Sequence, residues 1–144
     1  MWHPNLNGLA GLLVVFGLAG SCQANQAYTP ESIPGTTKVT AEELLSLVEA
    51  TPDLLIIDSR VSMDRKQGYI QGSISLPDEE TDCDSLSLHI LSKDAPTLFY
   101  CNGVKCGRSV KAIEKAKACG YTRLYWFRGG FEEWKDKKFP YLKE

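Results

Sequence analysis

The sequence lacks the features that mark several common functional classes. Its 144 residues carry 16 Lys and Arg against 18 Asp and Glu, a formal net charge of -2 at pH 7, so no broad basic surface is available to hold a nucleic-acid backbone. It also lacks a paired Cys-x-x-Cys motif, and its two histidines, His3 and His89, are far apart in the chain. We therefore expect no nucleic-acid partner, no bound metal and no cofactor.

The chain also lacks an apolar run long enough to span a membrane comfortably. Residues 6–20 carry no charge and residues 9–16 form a dense apolar run, whereas a spanning helix needs about 20 apolar residues. A secretory signal has a shorter apolar core followed by small residues, as in Ala19, Gly20 and Ser21. The segment resembles a bacterial lipobox, which implies that Cys22 is acylated and becomes the new amino terminus.

We therefore predict a signal peptide over residues 1–21 and a lipid anchor at Cys22. Cleavage without a lipid, an uncleaved anchor and a plain cytoplasmic domain are the alternatives. Export would place the protein in the periplasm or cell envelope, where disulfides are tolerated. Residues 22–38 are polar and turn-rich without apolar periodicity, so we interpret them as the lipidated cysteine and a flexible tether, and we place the folded domain at residues 39–144.

Strand patterns and helix patterns alternate through the rest of the chain. Short apolar runs at 54–57 and 97–100 are typical of strands that are buried on both faces. Residues 123–127 are predicted to form a further strand, and 73–76 a weaker one. Helices are predicted over 41–50, 82–92, 109–119 and 131–138, the first with a capping box formed by Thr40 and Glu43. This alternation predicts an α/β fold, a single domain whose central parallel sheet carries helices on both faces.

Cys101 directly follows one predicted strand, at the sheet edge where ligands of parallel sheets collect. The loop after it contains glycines that can turn backbone N–H groups inward, and it leads to the positive end of a helix. These features, with nearby basic side chains, favour a thiolate and an anionic substrate. The predicted catalytic residues are Cys101, Cys106 and Arg108, and the predicted substrate-binding residues are Asn102, Gly103, Val104, Lys105, Gly107 and Ser109.

Three segments in order around this loop resemble the rhodanese family. Residues 55–60 end an apolar strand in Asp-x-Arg, residues 68–77 are similar to the Gly-His-Ile-x-Gly-Ala segment with Tyr69 in place of the histidine, and residues 125–134 are similar to the closing Gly-Gly-x-x-x-Trp segment. The resemblance covers about residues 39–142. It implies a monomeric sulfurtransferase in which Cys101 takes a sulfane sulfur from a small sulfur-containing anion and passes it, as a persulfide, to a thiol or cyanide acceptor.

The loop is longer than the common rhodanese loop, because six residues separate Cys101 from Arg108. The helix after Arg108 keeps the usual distance to Gly120, so the additional residues belong to the loop. Related cell-cycle phosphatases surround a phosphate with a slightly longer loop, which makes phosphate esters an alternative substrate class. This loop contains no Asp or Glu, however, and an alkoxide leaving group usually needs a proton donor.

Cys106 leaves further alternatives open. A cysteine that faces the nucleophile can attack a persulfide or an oxidised sulfur and leave a disulfide, whereas a packing residue or a resting disulfide would not turn over. The sequence does not show whether the two sulfurs meet. Thiol–disulfide redox chemistry or oxyanion reduction by Cys101 and Cys106, and a non-catalytic rhodanese-like binding module, are therefore the alternative functions.

The other candidate polar residues are interpreted as structural. Cys83 lies between two aspartates whose charges disfavour a thiolate, and Cys119 ends a helix on its apolar side. Asp58 and Arg60 are predicted to lock neighbouring loops together rather than to act as an acid and a base. We expect any membrane contact to be made by the lipid alone.

Overall fold

The computed structural model describes residues 28–144, so the predicted signal peptide and Cys22 lie outside the described residues. The strands are β1 (Thr36–Lys38), β2 (Leu55–Asp58), β3 (Ile74–Ser75), β4 (Thr97–Tyr100) and β5 (Leu124–Phe127). The helices are α1 (Ala41–Ala50), α2 (Ser62–Lys66), α3 (Cys83–His89), α4 (Arg108–Ala118) and α5 (Gly130–Asp136).

The strands form one sheet in the order β1-β5-β4-β2-β3, and every neighbouring pair is parallel. Side chains of adjacent strand residues point to opposite faces, and Leu98 and Phe99 accordingly belong to two different apolar clusters. Residues of α3 and α4 complete one cluster, and residues of α1 and α5 complete the other. The predicted α/β domain with a parallel sheet covered on both faces is confirmed.

The capping box predicted at the first helix is present. The Thr40 hydroxyl accepts a hydrogen bond from the Glu43 backbone N–H at 3.2 Å, and the Glu43 carboxylate accepts from the Thr40 N–H at 2.7 Å. By contrast, α2 was not predicted, because its polar sequence shows no apolar periodicity. Tertiary contacts hold this short helix, since buried Arg65 donates to the Ser73 hydroxyl and carbonyl, both at 2.9 Å.

The sheet begins before Val39, the residue at which the sequence predicts the start of the folded domain. Residues 36–38 form β1 and pair with β5 at one edge of the sheet, and Ile33 is 3% exposed within the cluster that contains Trp126. A strand of three residues after Pro34 and Gly35 is too short and too polar to show a hydrophobic period. The predicted tether therefore belongs in part to the folded domain and contributes to its core.

The predicted structural role of Asp58 and Arg60 is confirmed. Arg60 donates to the Asp58 carboxylate through Nε at 2.9 Å and Nη2 at 2.7 Å, and it also donates to the Gly68 carbonyl at 2.8 Å. Tyr100 donates its hydroxyl to the same carboxylate at 2.8 Å. Burial raises the pKa of Tyr100 well above its ordinary value. Burial alone would lower the pKa of Arg60, but its hydrogen bonds to Asp58 raise it overall.

This buried network joins β2 to β4 and to the segment that follows α2. The polar groups are satisfied by one another, as buried charges must be to remain charged. The network thus fixes the carboxyl end of β4, one residue before Cys101.

Among residues 28–144, no helix has the length and apolarity needed to cross a bilayer.

Candidate active site

Cys101 occupies the predicted position at the carboxyl end of the central strand β4 and is 2% exposed. The carbonyl groups of Cys101 and Asn102 accept hydrogen bonds from Phe131 and Glu132 N–H, at 2.9 and 2.8 Å. Gly130, which has a φ of 61°, makes this approach possible, because a Cβ there would overlap the Cys101 carbonyl. The first turn of α5 therefore holds the start of the loop.

Cys101 and Cys106 form a disulfide, with their Cα atoms 6.2 Å apart. A hydrogen bond from the Cys106 N–H to the Gly103 carbonyl, at 2.9 Å, closes a turn inside the loop. The two sulfurs therefore meet, which the sequence had left open. Cys101 is buried and Cys106 is only half-buried, so solvent reaches the pair from the Cys106 side.

The loop runs into α4, which begins at Arg108 with Gly107 as its N-cap. Gly107 has no side chain with which to cap the helix, so the first-turn N–H groups are available to a bound anion. Ser109 had been predicted to bind substrate, but it is 2% exposed and its hydroxyl accepts from Trp126 Nε1 at 3.0 Å. Its side chain packs in the core, so only the backbone N–H of Ser109, in the first turn of α4, is available to a substrate.

Arg108 lies at the edge of the site and is partly neutralised. Its Nη1 donates to the carboxylate of Asp78 at 2.7 Å, and this hydrogen bond raises the pKa of Arg108. Glu79 adds a second carboxylate at 3.9 Å. The positive potential that Arg108 contributes to the loop is therefore weaker than its sequence position suggests. Lys105 is exposed, and its Nζ lies 5.3 Å from the centroid of the Tyr28 ring.

Carboxylates absent from the loop sequence are supplied by other elements. Asp64 of α2 accepts a hydrogen bond from Asn102 Nδ2 at 2.8 Å. The Glu132 side chain of α5 covers Gly103 so closely that a Cβ at Gly103 would overlap its carboxylate. Sequence reasoning missed both residues, since nothing in their local pattern indicates contact with the loop. Carboxylates therefore lie beside the loop, although the loop sequence itself contains none.

Residues 28–31, which we call the strap, contact the outer side of the loop. Thr29 donates its N–H and its hydroxyl to the Val104 carbonyl, both at 2.8 Å. Arg128 in turn holds the strap, donating to the carbonyls of Thr29 and Pro30, each at 2.9 Å, and pairing with Glu31 at 2.9 Å. The strap lies in the predicted tether, and no sequence signal indicated that it reaches the active-site loop.

The remaining two described cysteines form a second disulfide. Cys83 at the start of α3 is bonded to Cys119 after the end of α4, with a Cα separation of 5.5 Å. Both had been interpreted as structural, but their pairing was not predicted. Across residues 28–144, His, Cys, Asp and Glu side chains nowhere form a group of three or more that could hold a metal ion.

Comparison with known proteins identifies the family to which this chain is similar. Residues 40–137 match the family model of the Rhodanese-like domain. A curated Mus musculus relative, "Thiosulfate sulfurtransferase/rhodanese-like domain-containing protein 3", is 31% identical over an alignment of 133 residues that covers 82% of this chain and 78% of that protein.

Solved structures show the same fold. A Bacillus halodurans protein is 23% identical with a TM-score of 0.67, covering 75% of this chain and 77% of its own. A Pseudomonas aeruginosa thiosulfate sulfurtransferase is 20% identical with a TM-score of 0.63, covering 75% of this chain and 20% of its own. An E. coli rhodanese with anions is 28% identical with a TM-score of 0.53, covering 63% of this chain and 99% of its own. The chain therefore belongs to the rhodanese-like domain family.

Proposed function

We propose that this protein is a sulfurtransferase that moves sulfane sulfur through a persulfide on Cys101. The observation that carries the proposal is the position of Cys101, which ends the central strand of a rhodanese-like domain and heads a loop leading into the uncapped start of α4. The backbone N–H groups of the loop and the start of α4 provide the fixed dipoles that favour a thiolate and its anionic products. The relatives named as sulfurtransferases support the same reaction class.

In the proposed reaction, the Cys101 thiolate attacks the outer sulfur of a donor such as thiosulfate. A bond forms between Cys101 Sγ and that sulfur, the sulfur–sulfur bond of the donor breaks, and sulfite leaves with the bonding electron pair. An acceptor thiolate or cyanide then attacks the outer sulfur of the Cys101 persulfide and regenerates the thiolate. Negative charge stays near the loop throughout, where backbone N–H groups and the first turn of α4 stabilise it.

The proposed substrate-binding groups are those of the loop itself. Asn102, Gly103, Val104, Lys105 and Gly107 line the path from Cys101 to α4, and Arg108 stands at its end. The Cys101–Cys106 disulfide is a resting form, because an oxidised Cys101 has no free thiolate. Reduction of this bond is therefore the first step of turnover.

Mass spectrometry tests the proposal directly. The fully reduced Cys106→Ser variant, exposed to thiosulfate or inorganic polysulfide, gains the mass of one sulfur atom on the peptide that contains Cys101. The matched control is the Cys101→Ser, Cys106→Ser double variant, which gains nothing. Absence of the adduct with every sulfane donor would overturn the proposed function.

A second candidate is thiol–disulfide redox chemistry or oxyanion reduction, and the Cys101–Cys106 disulfide is the observation that favours it. The two candidates differ in what they require from Cys106. Persulfide formation needs only Cys101, whereas a redox cycle stops when either cysteine is replaced. Phosphate-ester and thiosulfate assays run side by side separate both candidates from a phosphatase.

We also propose that the protein is exported and carries a lipid anchor at Cys22. The anchor would place the domain in the periplasm or at the cell envelope. We further propose that the protein is a monomer. Two disulfides among the described residues support an oxidising compartment. Because Thr29 is held against the loop, only the chain between Cys22 and Thr29 is left to span the distance to the bilayer, roughly 20 Å when extended.

Intact-mass analysis of the membrane fraction tests the anchor. The expected mass is that of a chain starting at an acylated Cys22. A chain that retains residues 1–21, or a freely soluble form with unmodified Cys22, would overturn the anchor and leave the argument for Cys101 intact.

A further inference from the structure

The two cysteines of the loop differ in their access to solvent. Cys101 is 2% exposed at the end of β4, whereas Cys106 is half-buried and adjoins the exposed Gly107. Their sulfurs are directly bonded in this structure. A sulfur atom added to Cys101 is thus placed next to Cys106, while an external acceptor has to enter a largely closed site.

Contacts other than the disulfide hold Cys106 in this position. The backbone turn from Cys106 to Gly103 closes the loop, and Thr29 fixes the Val104 carbonyl with two hydrogen bonds. The start of the loop is bonded to α5 through the Cys101 carbonyl. None of these bonds involves a sulfur atom, so reduction of the disulfide leaves the restraints that keep the two thiols close together.

Proximity of this kind changes the course of a reaction. Two groups held in one loop react as if each were present at a very high concentration, which a dilute external thiol cannot match. Cys106 is therefore the thiol best placed to attack the Cys101 persulfide before an external thiol arrives.

We propose that the protein releases hydrogen sulfide from sulfane-sulfur donors, with Cys106 as the resolving thiol. The proposal rests on the persulfide chemistry of Cys101. The Cys106 sulfur attacks Cys101 Sγ, a bond forms between the two cysteine sulfurs, and the bond from Cys101 Sγ to the outer sulfur breaks. The outer sulfur takes that electron pair and the Cys106 proton and leaves as HS⁻. The sulfane sulfur is reduced by two electrons, and the two cysteines are oxidised to the disulfide.

Turnover then requires a dithiol reductant. One thiolate of the reductant attacks the sulfur of Cys106, the more exposed of the two residues, and Cys101 leaves as a thiolate. The second thiol of the reductant breaks the mixed disulfide. When thiosulfate is the donor, the products of each cycle are sulfite, sulfide and an oxidised dithiol. The reducing equivalents therefore have to come from a class of enzyme that reduces protein disulfides.

A single-turnover experiment on the full chain tests this inference. The protein is reduced, freed of reductant and mixed with thiosulfate or inorganic polysulfide, and sulfide and intact mass are followed together. The wild type is expected to release sulfide in an amount equal to the protein and to lose the mass of two hydrogens. The Cys106→Ser variant is expected to keep an added sulfur on Cys101 and to release no sulfide until a thiol is added, so that its adduct lasts at least about tenfold longer.

The outcomes separate the two proposals. If Cys106→Ser forms the adduct and the wild type keeps the same adduct without releasing sulfide, the resolving role of Cys106 is wrong and the sulfurtransferase proposal stands. If neither protein forms an adduct or releases sulfide, the proposed function itself fails. The matched control is the Cys83→Ser, Cys119→Ser double variant, which retains the loop pair and is expected to release sulfide as the wild type does.

Discussion

The two disulfides of the described chain enclose very different lengths of sequence. Cys83 and Cys119 are 36 residues apart and join the start of α3 to the end of α4, whereas Cys101 and Cys106 are five residues apart within one loop. A cross-link restricts the unfolded chain more when the loop is longer, by roughly 4 kcal/mol for the first pair and roughly 2 kcal/mol for the second. The long-range bond is therefore expected to stabilise the fold more than the short one.

The two disulfides also lie in different parts of the fold. The Cys83–Cys119 bond lies at the far end of α4 from the candidate active site. The Cys101–Cys106 bond lies at the carboxyl edge of the sheet, before the first turn of the same helix. The two disulfides thus lie near opposite ends of one helix, and each can be removed separately.

The largest expected effect is on activity. Cys101→Ser is expected to lower the rate of sulfite formation from thiosulfate to the uncatalysed background, because the attacking sulfur is lost. The Cys83→Ser, Cys119→Ser double variant is expected to keep a rate close to that of the wild type under reducing conditions. Loss of activity in the double variant, with its fold intact by circular dichroism, would break the distinction between the two pairs.

The second effect is on stability, and here removal of the Cys83–Cys119 pair is expected to matter more than removal of the loop pair. Replacing both Cys83 and Cys119 by Ala is expected to lower the free energy of unfolding by roughly 4 kcal/mol, and replacing Cys101 and Cys106 by Ala to lower it by about half as much. Urea denaturation of the oxidised proteins measures both values. Equal losses for the two pairs would show that loop length does not govern their contributions.

A third change removes non-covalent support while both disulfides stay in place. Ile33→Ala is expected to lower the free energy of unfolding by roughly 2 to 4 kcal/mol, because this buried side chain packs in the core beneath β1. Deletion of residues 1–38 is expected to cost more, since it also removes β1 and the strap. Thermal melting would detect either change, and a deletion without effect would restore the interpretation of this segment as a tether.

The smallest effect concerns the strap. Thr29→Val removes the hydroxyl bond to the Val104 carbonyl and is expected to lower the free energy of unfolding by roughly 1 kcal/mol. The resolving step by Cys106 should slow by a similarly modest factor, as the loop loses one of its restraints. Thr29→Ser keeps the hydroxyl and is the matched control. Identical unfolding curves and identical sulfide-release rates for Thr29→Val and the wild type would show that the strap does not position the loop.

Most of the sheet was predictable because its strands carry a local signal. The runs at β2, β4 and β5 are mainly apolar. The capping box of Thr40 and Glu43 marks the start of α1 without reference to the rest of the fold. The elements that were missed, β1 and α2, are short and polar. Both are held by contacts with other parts of the chain, through pairing with β5 in one case and through Arg65 in the other.

The sequence by itself determined the kind of fold, the place of Cys101 at a strand end and the presence of a second cysteine in its loop, since each of these follows from residues close together in the chain. The tertiary structure decided which cysteines pair, that Asp64 meets Asn102 and that Thr29 reaches Val104 across 75 residues. Hydrophobic periodicity reports which face of an element is buried, but not which element packs against it. Such long-range contacts arise only when the whole sheet and its helices are assembled.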